Sequence, residues 1–208
     1  MPKQAKLVNS QKPAQPGVDD QSFGFLPMIP VMVSCASKDG RPNIIPLIAW
    51  SFVNRYPPKF TIGICEVDWT PAYYVRASYQ MILETGEFVI NFPHEGQYDQ
   101  MMRTGALTAN DPTVDKFKAA GLTPGRSLVV RAPTIEECPI SVECVVREHL
   151  TLGSHHLFVG EMVAYHQVGE VVRQQTSKAL QMLEYQPGDG GPAKRLVWSM
   201  LPRLEDVD

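Results

Sequence analysis

Residues 140 to 168 read ISVECVVREHLTL, then Gly153-Ser154-His155, then HLFVGEMVAYHQV. In the first run Ile140, Val142, Cys144 and Val146 alternate with Ser141, Glu143, Val145 and Arg147. This period of two is that of a strand with two differently buried faces. The short turn around Gly153-Ser154 makes the two runs an antiparallel hairpin.

Strands of the same kind are predicted upstream. In MIPVMVSCA (28 to 36), Val31, Val33 and Cys35 fall on one face and Met32, Ser34 and Ala36 on the other. KDGR, with Asp39-Gly40, supplies a turn. NIIPLIAWSF (43 to 52) reads as a second strand. Pro46 removes a ladder donor there, which predicts an edge position or a bulge. KFTIGIC (59 to 65) follows the stiff Tyr56-Pro57-Pro58 connection, and EFVINF (87 to 92) adds a further strand.

Helix start signals are few. Thr70 with Pro71 predicts a helix through Ala72, Tyr73, Val75 and Ala77. Asp111-Pro112 predicts a second, through Val114, Phe117 and Ala120, ended by Gly121. A third is expected over Thr176 to Leu183. Six or more strands, few helices and no strand–helix alternation predict a mainly β fold: a closed antiparallel barrel with helices outside it.

A chain of 208 residues suits one core. The polar, aperiodic residues 1 to 22 read as a flexible arm. Residues 23 to 170 are expected to form the barrel, and 171 to 208 an extension packed on it or on a second subunit. The 44% hydrophobic and 20% charged content is ordinary for a globular protein. No apolar run approaches the roughly 20 residues that cross a bilayer, and the first residues hold no apolar signal core, so a cytoplasmic, membrane-free protein is expected. The four cysteines form no C-x-x-C pair and read as structural thiols. A net charge of −3 with scattered lysines and arginines gives nucleic acid no basic block to bind.

Several motifs fail on context. Gly188-Asp189-Gly190-Gly191-Pro192-Ala193 spells G-x-G-x-x-A, yet it follows no strand and Pro192 stands where a helix must open. His94-Glu95 begins like a zinc-protease motif, but Tyr98 occupies the place of the second histidine. His155 and His156 point to opposite faces of a strand and cannot share one metal from it, so no metal site is expected. Residue spacing alone thus leads no further than a β-barrel.

Taken in order, NIIPLIAW (43 to 50), Pro57-Pro58, TGEFVIN (85 to 91), Asp115-Lys116-Phe117, Glu143-Cys144 and GSHHLFVGEM (153 to 162) resemble the flavin reductase-like family. The resemblance spans roughly residues 25 to 168 and is closest to its flavoredoxin-like branch. It implies the FMN-binding split β-barrel, antiparallel and Greek-key-like, with a few peripheral helices. It also implies FMN held at a homodimer interface, its ring against the Ala49-Trp50 strand and its phosphate near the start of the following helix.

A helix N-terminus offers unpaired N–H groups and a favourable dipole to a phosphate. Thr70 is the hydroxyl expected at that start, with Lys116 as a candidate charge. Many family members carry an arginine two residues before the Ser/Thr, where this chain has Asp68, so Arg76 is a candidate to compensate. Ala49, Trp50 and Ser51 are the candidates for the ring, Trp50 being alternatively a core residue. Asn43 and Asn91 either serve the pyrimidine edge or close turns. His155 matches a histidine that the family holds near the flavin and the nicotinamide, or else closes the turn after Gly153; an aspartate is common where Ser154 stands.

The activity implied is an NAD(P)H-dependent flavin oxidoreductase, with NADH or NADPH as donor and a monooxygenase, free flavin or a metal as acceptor. The alternative is a flavoredoxin-like carrier that takes electrons from a redox protein partner.

Overall fold

A computed structural model describes residues 28–65 and 75–168 of the chain. Among the described residues, nine strands and three α-helices follow one another. They are β1 (Val31–Ala36), β2 (Pro42–Leu47), β3 (Trp50–Arg55), β4 (Pro58–Cys65), α1 (Ala77–Thr85), β5 (Glu87–Phe92), α2 (Tyr98–Ala106), α3 (Lys116–Ala120), β6 (Pro124–Gly125), β7 (Thr134–Ile135), β8 (Ile140–Leu152) and β9 (His155–Gln167).

Seven strands form one antiparallel sheet in the order β2-β1-β5-β8-β9-β4-β3, and β6 pairs with β7 beside it. The fold is the split barrel, and the closed barrel is corrected in one respect: β2 and β3 are the two edges of the sheet. The single strand expected over 43 to 52 is two, because the chain bends at Ile48-Ala49 and β3 moves on to pair with β4. The edges remain joined through that bend, where the Gly63 amide of β4 donates to the Ala49 carbonyl at 2.7 Å. A β-carbon on Gly63 would meet that of Ala49 at 3.1 Å, so the close approach favours glycine. Pro46 sits in the edge strand β2, the position that its missing donor predicts.

The alternating faces divide the core. Val31, Val33 and Cys35 pack inside the barrel with Ile62, Ile64, Phe88, Ile90 and Phe158. Met32, on the other face of β1, packs with Ile44, Met101, Phe117 and Ile135 under α2 and α3. Gly160 lets β9 pass over this interior: a β-carbon there would stand 2.4 Å from Phe88 and 2.9 Å from Cys144.

The described helices open at Ala77, Tyr98 and Lys116. Neither Val75 nor Arg76 is helical, and α1 opens at Ala77; Thr70 and Pro71 lie outside the described residues. The buried face of α1, Ser78, Tyr79, Met81 and Ile82, has the i, i+3, i+4 spacing of an amphipathic helix. Gly86, left-handed at φ 69°, ends it and turns the chain into β5. Asp111 does not open α3: its carboxylate accepts the Thr113 amide and hydroxyl in a turn. Asp115 caps the helix instead by accepting the Lys118 amide at 3.1 Å, and Gly121 ends it at φ 67°. α2, which no start signal announced, follows a single 3₁₀ turn, Glu95–Gln97, that His94 and Gln97 cap reciprocally. The third expected helix, over Thr176 to Leu183, lies outside the described residues.

Candidate functional site

The bend between the two edge strands opens a cavity of about 240 Å³. One wall is the run from Asn43 to Ala49. Opposite stand Gly63 and Cys65 of β4, the first residues of α1, and His155 of β9. The segment from Gly105 to Ala109 and Lys116 of α3 close it below.

Cationic and donor groups gather at one end. Arg76 occupies the N-cap position of α1, no side chain caps that helix, and its first turn holds no acidic residue. Tyr79 already donates its amide to the Arg76 carbonyl. The amides of Ala77 and Ser78 precede it in the first turn, where no intrahelical acceptor exists. Both residues line the cavity, so the positive end of the helix dipole faces it. Lys116 is only 6% exposed and donates from Nζ to the Ile44 carbonyl at 3.0 Å. Burial, reinforced by the Arg76 guanidinium, pushes its ammonium down to about 8. His155 shares a hydrogen bond between Nδ1 and the Ser154 hydroxyl at 2.8 Å. Burial, then the charge of Arg76, holds its imidazole below the ordinary histidine range, which keeps it neutral near pH 7.

Asn43 is the telling side chain. It is 1% exposed, and its Nδ2 has only the Cys35 sulfur as acceptor, at 3.9 Å. Its Oδ1 has no hydrogen-bond partner. A buried carbonyl left unpaired costs about 1 to 3 kcal/mol, so this oxygen marks a place where a donor is missing.

Of the residues singled out in the sequence, Asn43, Ala49, Lys116 and His155 thus meet in one cavity. Trp50 does not line it; the indole Nε1 donates to the Ile29 carbonyl at 2.7 Å, and the ring stands edge-on to Phe92 at 5.0 Å. Ser51 lies exposed on β3, with its hydroxyl 3.3 Å from the Phe52 carbonyl. Asn91 sits on β5 in a closed network. Its Nδ2 donates to the Met32 carbonyl and the Ser34 hydroxyl, both at 3.0 Å, and its Oδ1 accepts from the Ile135 amide and the Ser141 hydroxyl. Thr70 and Asp68 lie outside the described residues. His156 points away from His155, as the strand alternation requires, and packs on Tyr79 at 4.5 Å and on His149 at 4.7 Å.

Arg76, the candidate to compensate for Asp68, lines the cavity as well, and sequence reasoning passed over Ser78 beside it. They stand two residues apart at the start of the described helix, which is the arginine-to-hydroxyl spacing sought at Asp68 and Thr70. Counting back from Thr85-Gly86-Glu87-Phe88 through one helix length finds them. Among the described residues no group of three or more His, Cys, Asp or Glu gathers to hold a metal, and no helix is long and apolar enough to cross a membrane.

The family model described as "Flavin reductase like domain" matches residues 24–189. The chain belongs to this family. A curated relative from Aquifex aeolicus, an uncharacterized protein, is 35% identical over 129 residues, which are 62% of this chain and 63% of that one. The match therefore spans less than two thirds of that relative's length.

Among solved structures, flavoredoxin from Methanosarcina acetivorans superposes with a TM-score of 0.62 at 24% identity, covering 80% of this chain and 76% of that one. The FMN-binding protein from Thermus thermophilus, solved with p-hydroxybenzaldehyde, gives 0.63 at 24% identity, covering 81% and 85%. At such identities the likeness is one of fold, and these flavin reductase-like relatives share the split barrel.

Proposed function

We propose that the chain binds FMN non-covalently in this cavity and serves as an NAD(P)H-dependent flavin oxidoreductase. The observation that carries the reading is the pairing, within one cavity, of a cationic end with a buried carbonyl that lacks a donor. FMN presents a dianionic phosphate at one end and hydroxyl and N–H donors further along. Arg76, Lys116 and the free amides of α1 suit the phosphate, with the Ser78 hydroxyl beside them. The Asn43 carbonyl suits a donor of the ribityl chain or the pyrimidine edge.

The cavity of about 240 Å³ is smaller than the roughly 300 to 1,000 Å³ of sites that enclose a whole ligand of this size. The ring therefore extends beyond it, past Ala49 along β3, and a second copy of the chain is the natural cover. β3 suits such a cover: it is a sheet edge, with Phe52 and Val53 about half exposed.

What the bound flavin supplies is reversible two-electron reduction, which the protein tunes by position and charge. His155, at the rim and neutral near pH 7, can hold a hydrogen bond to the nicotinamide amide or to the reduced ring. Arg76 and Lys116 hold the cofactor in place.

Heat-released cofactor identified by absorbance and mass tests the binding. Apoprotein that leaves the fluorescence of roughly micromolar FMN unquenched ends this reading. Stopped-flow mixing with NADH and with NADPH then tests the donor: rapid bleaching supports the reductase, whereas bleaching only by a reduced protein partner moves the chain to the flavoredoxin-like carriers.

A further inference from the structure

The four cysteines, all among the described residues, stand outside any disulfide. Burial pushes Cys35, Cys138 and Cys144 up to about 12, and none of them lines the cavity. Such thiols hold their protons at neutral pH and are poor nucleophiles. Cys65 is buried too, at 8% exposed, and differs in its place. It closes β4 across the ladder from His155 and lines the cavity, in company with Arg76, Lys116 and the opening residues of α1. Asn43, in the same lining, is buried with an Oδ1 that has no hydrogen-bond partner, a group that a ligand in this volume would answer.

We propose that Cys65 is a covalent modification site for small anionic disulfides, and that modification and loading of the cavity exclude one another. The proposal rests on the cavity being a ligand site and goes beyond the cofactor assigned to it.

In the reaction the Cys65 thiol gives its proton to solvent and its sulfur attacks one sulfur of the reagent R–S–S–R. The R–S–S–R bond breaks as the Cys65–S–S–R bond forms. The displaced R–S⁻ takes up a proton and leaves as the thiol. Cys65 is oxidised, the leaving sulfur is reduced, and an excess of free thiol reverses the exchange. The cationic lining raises the local concentration of an anionic reagent over a neutral one. The group R, once attached, occupies the volume that a phosphate-bearing ligand needs.

The test treats the full chain with dithiobis(nitrobenzoate), a dianionic aromatic disulfide, and with neutral dithiodipyridine, and maps the labelled thiols by mass spectrometry. Cys65 is expected to react roughly tenfold or more faster than the other three, with the anionic reagent gaining most and losing its advantage in salt. Cys65→Ser is expected to remove the fast phase, and Cys35→Ser to keep it, which separates loss of the thiol from loss of the fold. FMN is expected to slow labelling, and labelled protein to bind FMN at least tenfold more weakly. A fast phase that maps to another cysteine, or labelled protein that binds FMN as tightly as before, overturns the proposal. If the unlabelled chain ignores FMN, the flavin reading fails by itself, and inorganic phosphate becomes the protecting ligand. Fast labelling of Cys65 that phosphate slows then upholds the thiol site, and fast labelling that phosphate leaves unchanged overturns it.

Discussion

Asn43 and Asn91 are the same residue type, both fully buried, both on strands of one sheet, and they lead opposite lives. Asn91 joins β1, β5, β7 and β8, with donors and acceptors all answered inside the protein. Asn43 has one weak bond to sulfur and a carbonyl that nothing answers. A buried polar group fully paired by its own fold is there for the fold. One left half-paired beside a cavity is a group that the proposed cofactor would answer.

Glu143 belongs with Asn91. It is buried, and its carboxylate accepts from the amides of Leu128, Val129 and Val130 and from His166 Nε2. Burial by itself raises its pKa, but these four bonds outweigh it and hold the carboxyl below its usual range. Together they fasten the 128–130 segment to the sheet.

The largest effect expected is on stability. Asn91→Ala leaves several buried groups unanswered and is expected to cost about 3 kcal/mol, with the affinity of the folded fraction for FMN unchanged. Chemical denaturation and a flavin titration measure the two; a variant that keeps its stability and loses FMN breaks the contrast with Asn43. Glu143→Gln is expected to cost about 2 kcal/mol. Since the folded carboxyl is depressed, its contribution is present above the unfolded value of 4.5 and is lost as pH falls through the lower folded value. Wild type and variant are therefore expected to converge in melting temperature as the pH is lowered, and a difference that persists in acid contradicts the assignment.

Asn43→Ala is the mirror image. FMN binding is expected to weaken about tenfold, with stability within about 1 kcal/mol of wild type. His155→Ala is expected to slow flavin reduction about tenfold with FMN affinity nearly unchanged. Because the imidazole is already neutral, that effect is expected to be flat from about pH 7 upward. Wild-type reduction rates with a lowered melting temperature assign His155 to the turn. The smallest effect is in the wild type: as pH rises through about 8, Lys116 loses its charge, and FMN affinity is expected to fall about fivefold by about pH 9. A flat affinity profile there removes Lys116 from the phosphate.

Much of the fold was open to reading because its signals are local. β5 and β8 begin and end at the residues expected, and β9 is within one residue, since alternation and turn residues are properties of the segment itself. The bend at Ile48-Ala49 has no such signal. It lies inside an unbroken apolar run and is set by the approach of Gly63, fourteen residues away. The opening of α1 at Ala77 is hidden in the sequence for a related reason. Thr70-Pro71 and Arg76-Ser78 both carry start-like residues, and tertiary burial of Tyr79, Met81 and Ile82 marks the described helix. The two asparagines could not be told apart at all, because a residue type states what a side chain can bond and only the fold states what is left over.

The bend that separates the sheet's edges also places the cavity beside the seam that the Gly63–Ala49 bond holds. A ligand seated there, bonded to Asn43 of β2 on one side and to the start of α1 on the other, would tie the edge strand to the helix. Occupancy then stiffens the protein as well as filling it, and part of the affinity is spent on lost motion across the seam. Protection of the Gly63 amide from solvent exchange becomes a direct gauge of how full the site is.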